Sequence, residues 1–168
     1  MQLLVVRHAI AAERTDWAGT GREDSRRPLT DKGRSRMRLN AAGIAAITPR
    51  LDIIATSPFT RAAETARVLA RAWRGVPIET VAALASGGSR KELLAWLVAR
   101  DPEDTVALVG HEPDLGALVA ALVAGEGAQS LAMRKGGACL VRFVGLPRIG
   151  RGELRWFLPP RLLRRLAP

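Results

Sequence analysis

Short apolar runs alternate with segments of helical periodicity along this chain, and no other feature constrains its fold as strongly. Gln2–Val6, Leu51–Ala55, Pro77–Val81 and Thr105–Val109 read as strands, all but the third as buried ones. Between them lie helical patterns. Thr30 can cap a helix over Asp31–Ile47, with Met37, Ala41, Ile44, Ala45 and Thr48 on one stripe. Ser57-Pro58 reads as a cap followed by proline at the first helical position, opening a helix to Trp73. Ser89 can cap a helix over Arg90–Ala99, and Gly110-His111-Glu112-Pro113 turns the chain into another through Val123. Cys139–Val144 and Leu154–Leu158 read as late strands, and residues 9–27 as a loop. The spacing predicts an α/β fold: a three-layer α/β/α sandwich with a central, mostly parallel sheet and helices on both faces.

The 168 residues fit one domain, 1–168, with no repeat, linker or boundary, and Pro159-Pro160 would stop the last strand before a basic C-terminal tail, 159–168. A single cysteine excludes an internal disulfide framework or a multi-thiolate zinc site, and Cys139 reads as a small core residue. The N-terminus lacks a basic region ahead of a long apolar core. The longest apolar stretch without charge, Leu115–Ala124, is half of the roughly 20 residues a membrane span needs. The expectation is therefore a cytoplasmic protein with no membrane association.

Net charge is +10, but residues 141–168 alone carry 7 Arg and 1 acid. That end reads either as a solvated tail or as a patch for an acidic partner. Nucleic acid is not the expected partner, because only 4% of residues are aromatic and Tyr is absent, which leaves no stacking platform. No Gly-x4-Gly-Lys-Ser/Thr motif is present, which disfavours a nucleoside triphosphatase.

Both histidines of the chain follow predicted buried strands: His8 after Val6-Arg7, and His111 after Val109-Gly110. Arg61 follows the second strand by a few residues. In open α/β sheets, ligands sit beyond the carboxyl ends of the strands. Arg7, His8, Arg61 and His111 would thus form a cationic pocket, whose natural guest is a phosphoryl group. Guanidiniums offer forked donors to its equatorial oxygens. Arg61, in the first turn of its helix, adds the positive end of the helix dipole. His111 can donate from its ring, which leaves His8 as the in-line nucleophile. Neighbouring arginines should depress its pKa and keep one nitrogen unprotonated near neutral pH.

Arg7-His8, Arg27-Pro28-Leu29-Thr30 with Gly33, Ser57-Pro58 with Arg61-Ala62 and Thr65-Ala66, and Gly110-His111-Glu112-Pro113 resemble the motifs of the histidine phosphatase superfamily, which includes the phosphoglycerate mutases. Ala9 after the histidine, and a short chain without a long insertion, are most similar to the SixA-type phosphohistidine phosphatases. The resemblance implies that His8 becomes phosphorylated and that Arg7, Arg61 and His111 bind the phosphoryl oxygens. It makes Arg27 a further phosphate contact; by itself Arg27 reads equally as the partner of Asp24 or Asp31. Ser57 would reach the phosphate or merely cap a helix. Thr65 and Ala66 read as helix packing.

Many esterases of the superfamily carry an acid after the third strand. Here Val81–Gly88 has none. An alkoxide leaving group needs proton donation, whereas the imidazole leaving from a phosphoramidate protonates easily. The expected substrate is therefore phosphohistidine in a protein, with a small phosphorylated molecule as the alternative and a non-catalytic anion-binding module as a third reading. Glu13, Asp16 and Glu112 are candidates for a substitute acid, Glu112 also reading as a helix N-terminal charge. No metal and no cofactor is called for. No segment is long enough for a lid, so an open site is expected.

Overall fold

Leu3, Leu4, Val5 and Val6 are fully buried, because the strand carrying them is covered on both faces. The computed structural model describes residues 1–168. Strands β1 (Gln2–Arg7), β2 (Ile53–Thr56), β3 (Ile78–Thr80), β4 (Thr105–Gly110), β5 (Ala138–Arg142) and β6 (Glu153–Leu158) form one sheet in the order β3-β2-β4-β1-β5-β6. The first four are mutually parallel where they pair, β5 runs antiparallel to β1, and β6 antiparallel to β5.

Alternate residues of β1 feed two cores. Leu4 and Val6 pack with Met37, Ile44, Leu69 and Leu163. These side chains come from α2 (Asp31–Ile47), α3 (Thr60–Ala72) and α6 (Pro160–Arg165). Leu3 and Val5 pack with Leu93, Leu97, Leu115 and Leu122, from α4 (Arg90–Val98) and α5 (Asp114–Ala124). This is the expected three-layer sandwich. No helix is long and apolar enough to cross a membrane.

Local signals hold where a side chain satisfies a helix end. Thr30 accepts from Gly33 N at 2.9 Å, and Ser89 from Glu92 N at 3.2 Å. Three expectations need correction. Residues 9–27 are not all loop: Arg14–Ala18 forms α1 and Asp24–Arg26 a 3-10 turn. Ser57 does not cap α3, which begins at Thr60 with Phe59 before it; the Ser57 hydroxyl accepts from Phe59 N at 3.2 Å and turns elsewhere. The basic tail is instead mostly helix. Pro160 opens α6 and fully buried Leu163 anchors it on α2. Gly43 permits this contact, since a Cβ there would overlap the Leu163 carbonyl.

β1 and β4 are neighbours whose following helices leave to opposite faces, so a crevice opens at their carboxyl ends. Parallel register pairs Arg7 with Gly110, so the next residues, His8 and His111, emerge side by side. Thr56 pairs with Val109, which sets Ser57 beside them.

Candidate active site

Arg7, His8, Arg27, Arg61 and His111 line one polar cavity of about 190 Å³, together with Glu13, Arg14, Ser86, Glu112 and Lys135. The four residues expected at the strand ends therefore converge. Arg14, Ser86 and Lys135 were not singled out in the sequence. Arg14 and Lys135 had no distinguishing signal in a chain with 26 basic residues.

His8 is held in one tautomer. Its Nδ1 lies 2.7 Å from the Ala9 carbonyl, which can only accept. The proton therefore sits on Nδ1, and Nε2 keeps its lone pair. Burial pulls the His8 pKa down to about 3, outweighing the Ala9 bond; His111, Arg61 and Arg7 lower it further. The sequence reading assigned this depression to the arginines, but desolvation is the larger cause.

The ring of His111 is 5.2 Å from that of His8, centroid to centroid. Its Nε2 is 2.8 Å from Ser57 Oγ, and its Nδ1 is buried with no partner. Burial, followed by Arg61, lowers its pKa to about 4. Arg7 is anchored by Nη1 donating to the Met133 carbonyl at 2.6 Å, while its Nε is buried and unpaired. Arg61 donates to the Asp24 carbonyl at 2.8 Å and pairs with the Asp24 carboxylate at 3.0 Å; its Nε is likewise buried and unpaired. Arg7 Nε, Arg61 Nε and His111 Nδ1 are thus three buried nitrogens without partners, on residues that line one cavity. Unpaired buried polar groups are costly, and an oxyanion is one species that can pair with such groups.

Of the two sequence readings of Arg27, the ion pair with Asp24 is formed. Arg27 lines the cavity, and its Nε donates to Asp24 at 2.9 Å while Nη1 donates to the Ala12 carbonyl at 2.7 Å. Asp24, from the 3-10 turn, thereby joins Arg27 and Arg61. Burial acts to raise its pKa, but these two guanidiniums hold it below the ordinary carboxylate range.

Two of the three candidate acids reach the cavity. Glu13 lines it from the end of α1. Glu112 lines it while accepting from Met133 N at 3.2 Å, and burial holds its carboxyl above the ordinary range. Asp16 does not line it; the side chain is exposed on α1 with Thr15 as its partner. Thr65 is buried, donating to the Arg61 carbonyl at 2.7 Å and accepting from Ala9 N at 3.1 Å, so it braces the His8 turn. Cys139 is a core residue whose thiol is pushed up to about 12 by burial.

Residues 3–86 match the family model of the histidine phosphatase superfamily, branch 1. A protein of Picosynechococcus sp., itself uncharacterized, is 40% identical over 139 residues, covering 82% of each chain. The protein histidine phosphatase SixA, solved with tungstate, superposes with a TM-score of 0.81 at 27% identity, covering 97% of this chain and 99% of that one. A mycobacterial glucosyl-3-phosphoglycerate phosphatase complexed with VO3 shares the fold, with a TM-score of 0.66 at 18% identity over 94% of this chain and 99% of that one. With half of its length in the family model, a SixA structure matching it nearly end to end, and this cationic cavity at the strand ends, the chain belongs to the histidine phosphatase superfamily.

Proposed function

We propose that this protein removes phosphate from phosphohistidine in proteins through a phosphoenzyme at His8, without a metal. The observation that carries the reading is the state of the His8 ring: Nδ1 tied to the Ala9 carbonyl, Nε2 free in a cavity walled by guanidiniums. Nε2 attacks phosphorus in line, a new N–P bond forms, and the substrate P–N bond breaks. The electron pair leaves on the substrate imidazole, which takes a proton. Water then attacks the phosphoryl group on His8, releasing orthophosphate and returning the ring to its neutral form. Arg7, Arg61, Arg27 and His111 donate to the phosphoryl oxygens, with Ser57 acting on His111. Their fixed charge supplies the stabilisation that a metal would otherwise provide.

The wall beyond β3 supports a P–N rather than a P–O substrate. Ala82–Gly88 contributes Ser86 to the cavity and no carboxylate. SixA being a protein histidine phosphatase supports the same choice. A second reading, a small phosphomonoester as substrate, is favoured by an apolar cavity of about 310 Å³ that shares His111 and is lined by Leu84, Leu93, Leu115 and Leu118.

The test compares phosphoramidate, a phosphohistidine peptide and nitrophenyl phosphate side by side. Preference for the two P–N compounds, loss of turnover in His8→Ala, and an acid-labile, alkali-stable phosphoenzyme are expected. Faster ester hydrolysis would move the assignment to the second reading, and turnover by His8→Ala would end both.

A further inference from the structure

Lys135 lines a second concavity as well as the His8 cavity. This notch, of about 60 Å³, also takes in Arg36 from α2 and Arg164 from α6, and buried Asn40 and Gly136 line it too. It has room for a carboxylate.

The notch is built from the site outward. Gly136 N donates to the carbonyls of Arg7 at 3.1 Å and His8 at 3.0 Å. The Gly136 carbonyl accepts from Asn40 Nδ2 at 2.9 Å, and Asn40 Oδ1 accepts from Arg164 Nη1 at 3.3 Å. Asn40 is only 2% exposed, so it is a fixed post rather than a mobile surface amide. Gly136 has φ 76°, and a Cβ there would lie 2.8 Å from Asn40 Nδ2, so no other residue suits the position. One chain of hydrogen bonds thus runs from the His8 backbone to the Arg164 guanidinium.

Three cations from three segments meet here without a counter-charge. None of Arg36, Lys135 or Arg164 forms an ion pair with any carboxylate. Arg34, two residues before Arg36, pairs with both Asp31 and Glu64. Gathering like charges is unfavourable unless an anion completes the group. On α6, Arg161 and Arg165 are exposed and also without ion pairs, extending the cationic surface away from the cavity. A surface of this extent suits a macromolecule with acidic side chains more than a small metabolite.

We infer that the Arg36–Lys135–Arg164 notch receives the carboxylate of an acidic side chain flanking the phosphohistidine of a protein substrate. The inference rests on the proposed phosphohistidine activity and adds the local sequence that the enzyme prefers.

Two phosphohistidine peptides test it, one with Glu beside the phosphorylated residue and one with Gln. Phosphoramidate serves as a substrate with no flanking group. In the native protein, kcat/KM should favour the Glu peptide about tenfold, the size of one charge-assisted hydrogen bond. The gain should lie in KM. Arg36→Ala and Arg164→Ala should each erase most of that preference and leave phosphoramidate turnover within about twofold. Because Arg164 also anchors α6, Arg36→Ala, on an exposed face of α2, is the deciding variant should Arg164→Ala prove unstable. Equal rates on the two peptides in the native protein, or an undiminished preference in Arg36→Ala, would overturn the assignment. Failure of the native protein to cleave phosphoramidate or either peptide would instead strike the underlying activity.

Discussion

Ser57 Oγ lies 2.8 Å from Nε2 of His111, and this contact leaves Nδ1 as the ring nitrogen without a partner. The hydroxyl accepts from Phe59 N and keeps its one proton to give, so it can donate to Nε2 and leave the ring proton on Nδ1. The His111 proton then resides on Nδ1, the buried nitrogen without a partner. In the proposed reaction Ser57 is a positioning residue that keeps the His111 proton on Nδ1 for a phosphoryl oxygen. Ser57→Ala should lower kcat about tenfold with a smaller change in KM. Nitrogen NMR should show the His111 proton moving from Nδ1 to a mixture of the two sites. An unchanged tautomer with unchanged kcat would refute the role.

Asp24 pairs with Arg27 and Arg61, two of the guanidiniums proposed to hold the phosphoryl group. Arg27 and Arg61 each keep a backbone acceptor besides it, the carbonyls of Ala12 and of Asp24 itself. Removing the carboxylate charge therefore leaves both side chains oriented, and the change in field dominates. Asp24→Asn should tighten inhibition by orthophosphate about threefold, a contribution of the size of one partly screened charge. Weaker inhibition would mean that orientation, rather than charge, is what Asp24 supplies.

Both buried histidines link stability to pH. Each ring has an ordinary pKa of 6.5, against about 3 for His8 and about 4 for His111 in the fold. As pH falls below 6.5, the unfolded rings take up protons while the folded ones stay neutral. Stability present above pH 6.5 is therefore lost on acidification, by about 2 kcal/mol per ring between pH 6.5 and pH 5. Urea unfolding at pH 7 and pH 5 should show this loss in the native protein and a much smaller one in a His8→Gln/His111→Gln double variant. Equal losses in the two proteins would assign the acid sensitivity elsewhere.

Leu163 is a core residue near the end of the chain, fully buried in the core that α2 covers. Leu163→Ala should cost about 2–4 kcal/mol in urea unfolding. A loss below about 0.5 kcal/mol, as expected of a surface site, would restore the picture of a loose basic tail.

Much of the site was legible in the sequence, because its principal side chains stand next to strands that announce themselves. Arg7-His8 and Gly110-His111 follow apolar runs that only a doubly covered parallel sheet would bury, and such sheets bind ligands at that end. The resemblance drew Arg27 into the same group, but its partner Asp24 could not be told from Asp31 by spacing alone. Residues 160–165 were misread because Pro159-Pro160 ends a strand and starts a helix with the same chemistry. Ser57 was misread for a related reason: a serine before proline looks like a cap until its actual partner is known.

The amino-acid order determined the strands, the caps at Thr30 and Ser89 and the placement of both histidines, since each depends on neighbours a few residues away. Tertiary structure alone decided that Ser57 meets His111, that Asp24 joins Arg27 to Arg61, and that Arg36, Lys135 and Arg164 share a notch. Those contacts span up to 128 residues, from Arg36 to Arg164. Periodicity reports only which face of an element is buried, and in a chain with 23 arginines it cannot report which of them will meet.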